Sequence, residues 1–77
     1  VSSGPAGSVL FVDANGNLGQ DNSNLYWDDT NNRLGIGTTA PSALLHLGIG
    51  STAAIGQIIQ AASGQTANLL ELQNSSG

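Results

Sequence analysis

The sequence predicts an all-β, fibrous fold of short strands and hairpins with little or no helix. Three observations predict it: apolar runs of at most four residues, turn-forming residues between most of them, and only 8% charged residues, against roughly a quarter in an average domain. Gly, Ser, Thr, Asn and Gln supply 38 of the 77 residues, so the solvent coat is neutral rather than charged. Disorder usually combines weak hydrophobicity with high net charge, and with so little charge a folded chain is expected.

Residues 1–20 read as a linker followed by a first hairpin. VSSGPAG (1–7) is rich in Ser, Gly and Pro, and SVLFV (8–12) is a β-favouring run. DANGN (13–17) then contains Asn15-Gly16, a pair that accepts the two positive φ angles of a type I′ turn. Leu18 begins the return strand.

Residues 21–50 read as a second hairpin and a further strand. Their apolar runs are LYW (25–27), LGIG (34–37) and LLHL (44–47), separated by DDTNN (28–32) and TTAPS (38–42). Asp and Asn side chains bond their own backbone and tolerate left-handed conformations, which makes 28–32 a turn for a chemical reason. Pro41 lacks an amide donor and pushes Ala40 into the extended region, so no helix runs through the second connection. VDANGNLG (12–19) and WDDTNNRLG (27–35) share the order apolar, Asp, turn, Asn, Leu-Gly, the second with one residue more. A third partial copy begins at LELQNSSG (70–77). Such short repeated units are expected of fibrous or solenoid stacking, and the 77 residues are expected to be a window of a longer repetitive chain.

Residues 51–77 read as a strand pair and the start of a next repeat. In TAAIGQIIQAA (52–62), Ile55, Ile58, Ile59 and Ala62 fit helical spacing, whereas Ile55, Gln57, Ile59 and Ala61 fit a strand. Ser63, Gly64, Gln65 and Thr66 form a turn into a strand over 67–73.

The run NLYWDDTNNRLGIGTTAPSALLHL (24–47), preceded by GSVLFVDANGNLGQDNS and followed by GQTANLLELQNSSG, resembles the shaft repeats of phage tail fibres and tail spikes and of related large extracellular bacterial fibre proteins. The resemblance is close over 7–50 and 64–77 and looser over 51–63, where it favours strand over helix. It implies a homotrimeric, intertwined β-shaft, stacked end to end into a filament, on a virion surface or outside a cell. Any surface glycan would be met at a tip outside this segment. The family's repeats carry no catalytic motif, so the resemblance implies an architecture and no active residues.

The composition excludes several classes. One Arg, no Lys and a net charge of -4 cannot neutralise a nucleic-acid backbone. No apolar stretch approaches the roughly 20 residues that span a bilayer, so no membrane partner is expected. There is no cysteine, and a chain this small without disulfides or metal is expected to gain stability by association with its own copies.

No catalytic, cofactor-binding or metal-binding residue is assigned, and the chain is not expected to be an enzyme. Asp13, Asn15 and Asn17 match three positions of a calcium loop, but Leu18 stands where that loop needs Gly and Asn24 where it needs Glu. His46 lacks a second ligand or nucleophile, and Gly35 and Gly37 lack the third Gly or Lys of a phosphate loop. The only carboxylates are Asp13, Asp21, Asp28, Asp29 and Glu71, most of them in turns. Asn74-Ser75-Ser76 matches a glycosylation acceptor. Trp27 is expected to be the main core anchor; the alternative is a carbohydrate- or receptor-binding module with Tyr26 and Trp27 as exposed stacking platforms.

Overall fold

The computed structural model describes residues 4–77, and among them there is no helix. Five short strands form two sheets: β1 (Phe11–Val12), β2 (Leu18–Gly19), β3 (Leu25–Asp28), β4 (Arg33–Ile36) and β5 (Leu45–Leu47). β1 and β2 pair antiparallel, and β3, β4 and β5 form a second sheet with β4 at its centre.

The first hairpin is closed by a three-residue loop rather than by a two-residue type I′ turn. Of Asn15 and Gly16, only Gly16 has positive φ, at 82°. Gly16 N–H donates to the Asp13 carbonyl at 3.0 Å and Asp13 N–H to the Asn17 carbonyl at 2.7 Å. This is a type I turn followed by one left-handed residue, the geometry usual for three-residue hairpin loops. Asp13 decides the outcome: its Oδ1 accepts from the N–H groups of both Asn15 and Asn17, each at 2.9 Å.

The second hairpin repeats that device with one more residue. Asp28 and Arg33 close a loop over 29–32, in which Asn32 takes a φ of 58°. Asp28 Oδ1 accepts from Thr30 and Asn31 N–H at 3.1 Å each, and Oδ2 from Asn31 Nδ2 at 3.0 Å. The sequence repeat is thus a repeat of one aspartate collecting the free amides of a turn.

β5 then joins β4 in parallel, with Leu34 opposite Leu45, Gly35 opposite His46 and Ile36 opposite Leu47. Parallel neighbours usually need a crossover of a dozen residues or more, yet only residues 37–44 connect these two. Gly37 makes this feasible. Its φ is +79°, its N–H donates to the Asn24 carbonyl at 2.9 Å, and a Cβ there would collide with the Gly48 carbonyl. Glycine therefore serves close backbone approach inside one chain, where β4 ends and β5 runs out.

The strands expected over 52–62 and 67–73 do not form in the single chain; every residue from 49 to 77 is exposed and none belongs to a strand or helix. The turns between them do form. Ala54 N–H donates to the Ser51 carbonyl, Gln65 N–H to the Ala62 carbonyl and Gly77 N–H to the Asn74 carbonyl, at 3.2, 3.0 and 3.0 Å. A turn needs only neighbours in sequence, whereas a strand needs a partner.

The described residues contain no buried hydrophobic core. The accessible surface is 6138 Å², against about 4,300 Å² for a compact monomer of this mass. The radius of gyration is 16.1 Å, where a compact chain of this length has about 11.5 Å.

Candidate functional site

Cross-strand partners share a face of a sheet and successive residues alternate faces. The register therefore sorts the three-stranded sheet without ambiguity. One row is Leu25, Ile36 and Leu47, and the next is Trp27, Leu34 and Leu45. All six side chains on this face are apolar, and none is buried. Trp27 is 38% exposed, Ile36 44% and Leu45 55%.

The opposite face carries Tyr26, Gly35 and His46 in one row, with Asp28 and Arg33 beside it. This face is partly covered. The Tyr26 ring lies over Gly7, where a Cβ would collide with it, and Ser8 bridges Tyr26 in antiparallel fashion. Arg33 Nη1 donates to the Pro41 carbonyl at 3.1 Å, and Ser42 N–H donates to His46 Nδ1 at 3.1 Å. Pro41 is buried, so the 37–44 connection is anchored to the sheet through both side chains.

Tyr26 and Trp27 consequently point to opposite faces and cannot make one stacking platform. Trp27, expected as a core anchor, has no core to enter within one chain; it stands in the uncovered apolar row beside Leu34. His46 Nδ1 serves as the hydrogen-bond acceptor for the Ser42 amide.

Three of the carboxylates, those of Asp13, Asp21 and Asp28, are committed to turns. Asp21 accepts from Ser23 Oγ at 3.0 Å and Asn24 Nδ2 at 2.8 Å, and its carbonyl takes the amides of Asn24 and Leu25, which leads the chain into β3. The Asn24 side chain, then Ser23, holds the Asp21 carboxyl below the usual carboxylate range. The Asn31 side chain and amide, with a smaller contribution from Arg33, do the same for Asp28. Among the described residues no three His, Cys, Asp or Glu side chains gather as a metal site.

The arrangement is an uncharged, apolar sheet face of six side chains, three of them exposed and three half-buried. Sequence reasoning found all six as residues of apolar, strand-forming runs but not their common face, since the parallel register that adds Leu45 and Leu47 is invisible in local patterning. Comparison of the chain with protein-family models, with curated proteins and with solved structures found no match.

Proposed function

We propose that the chain is a structural module of an extracellular fibre, a homotrimeric β-shaft segment of a phage tail fibre or a similar filament, giving reach and protease resistance. The single observation that carries this reading is the uncovered apolar face of Leu25, Trp27, Leu34, Ile36, Leu45 and Leu47. A face of this kind is unfavourable in water, and burying each large side chain is worth roughly 1.5–3 kcal/mol. Copies of the same face, carrying no charge, are suitable cover for one another. The trimer number and the end-to-end stacking rest on the resemblance of residues 7–50 to tail-fibre shaft repeats.

Sedimentation velocity and native mass spectrometry test the proposal. The expected result is a discrete trimer that unfolds and dissociates in one concentration-dependent transition. A stable folded monomer overturns it.

A carbohydrate- or receptor-binding module is the second reading, favoured by one observation, the 38% exposure of Trp27. It would rest on Trp27 without Tyr26. Glycan-dependent change in the Trp27 emission of a folded monomer would support it.

A further inference from the structure

We infer that the outer edge of β5 is completed by residues 55–61 of a second copy of this chain, added as a strand. This rests on the self-association proposed above and identifies the backbone contact that accompanies it.

The two edges of the three-stranded sheet differ. The outer edge of β3 is occupied by the preceding chain: Trp27 N–H donates to the Gly7 carbonyl at 3.0 Å, and Ser8 bridges Tyr26. Among the described residues nothing pairs with the outer edge of β5. Leu34 N–H donates to the Leu44 carbonyl and Gly48 N–H to the Ile36 carbonyl, so residues 44, 46 and 48 present their backbone groups to β4. Leu45 and Leu47 present theirs outward. Edges exposed in monomers are usually guarded by charge, proline or a bulge. Leu45, His46 and Leu47 supply none of these.

Residues 55–61 have the complementary deficiency. Among the described residues they make no backbone hydrogen bond, and Ile55, Ile58 and Ile59 are 73%, 71% and 43% exposed. Turns have formed on both sides, at 51–54 and 62–65, so the stretch is already delimited as a strand. Among the described residues no hydrogen bond joins it to its own β5: where the 51–54 turn brings the stretch back, the Ile49 side chain lies over Gly56, with its Cδ1 2.7 Å from where a Cβ would stand.

Charge and area both favour a second copy as the occupant. No Asp, Glu, Lys or Arg occurs between Leu34 and Leu70, so neither element repels its counterpart or selects a charged stranger. The surface in excess of a compact monomer is about 1,800 Å², more than the roughly 800 Å² each partner gives to a stable interface.

Amide hydrogen exchange on the full chain, followed by NMR at several concentrations, tests this together with mixed labelling. In oligomers of ¹⁵N-labelled and ¹³C-labelled chains, the amides of Leu45 and Leu47 on one chain should show contacts to 55–61 protons on another. These amides and those of 55–61 should exchange at least about tenfold more slowly than in the dissociated chain. Ile59→Pro, which removes a ladder donor, should weaken association about tenfold. An oligomer that covers Trp27 while 55–61 exchange freely overturns this inference and leaves the preceding reading intact. Contacts between β5 and 55–61 of the same chain also overturn it. A folded monomer at all concentrations overturns both.

Discussion

Arg33 Nη1 donates to the carbonyl of Pro41 at 3.1 Å, so the only cation of the chain ties the middle of the 37–44 connection to the start of β4. Pro41 is buried, and its carbonyl has no other hydrogen-bond donor within the described chain. Arg33→Met should cost about 1–3 kcal/mol, the penalty for orphaning a buried acceptor. Denaturant unfolding measures the loss, and exchange should accelerate first at Leu34, whose amide joins β4 to the connection, and then at Gly48, whose amide joins the end of β5 to β4.

The same residue makes a protease prediction. Arg33 is the only trypsin site in the sequence, and it opens the central strand, paired with Asp28 of β3. Cleavage there requires local opening. Elastase and chymotrypsin discriminate further, because the single chain leaves residues 49–77 unpaired. The assembled particle should resist both enzymes, and the dissociated chain should be cut first within 49–77. Rapid cleavage of the native particle within 13–32 would contradict the fibre proposal.

Acid should loosen the turns at Asp21 and Asp28. Both carboxyls are held below their ordinary range by hydrogen bonds, led by Asn24 for Asp21 and Asn31 for Asp28. A depressed folded value means the contribution is fully present above the ordinary carboxylate pKa of about 3.9 and disappears as pH falls through the lower folded value. Below about pH 4 the Thr30 and Asn31 amides should lose protection, while Asp28→Asn should flatten that dependence.

Trp27 reports on cover of the apolar face. Assembly should shift its emission to the blue and shield it from iodide, and dilution to dissociated chains should reverse both. Trp27→Ala should cost about 3–5 kcal/mol per chain in the assembly. Free quenching in the assembled state would leave the apolar face uncovered and remove the main support for the structural reading.

Two glycines should behave differently on conversion to alanine. Gly16→Ala meets nothing within 4 Å, so its cost is the backbone penalty of a left-handed residue, about 1–2 kcal/mol. Gly37→Ala adds a collision with the Gly48 carbonyl and should abolish β4–β5 pairing while leaving the β3–β4 hairpin intact. Exchange at Gly48 against Tyr26, whose amide faces β4, reads the difference.

Much of the fold is legible in the sequence because turns are local. Asp13 and Asp28 each capture amides two to four residues downstream, and the fifteen-residue spacing between them marks both hairpins. The first turn departs from the expected type because Asn15-Gly16 favours type I′ only when nothing competes. Asp13 competes by taking the amides of Asn15 and Asn17. The parallel register of β5 is illegible, since it depends on a backbone approach between Gly37 and Gly48, eleven residues apart. Residues 52–62 carry a strand pattern with no strand partner among the described residues to realise it. The candidate site is half legible for the same reason: its residues are conspicuous, but their shared face follows from the register.

The parallel pairing of β4 and β5 also sets how the module would bear load. Tension applied at the start of β4 and the end of β5 pulls the strands along one another, since those points lie at opposite ends of the pair. Their hydrogen bonds then carry the force together. The β3–β4 hairpin, pulled from its open end, would instead unzip, its hydrogen bonds breaking in succession. A filament drawn along its length should accordingly yield at the hairpins before the β4–β5 pair slips, and single-molecule extension between Arg33 and Gly48 should give the higher rupture force.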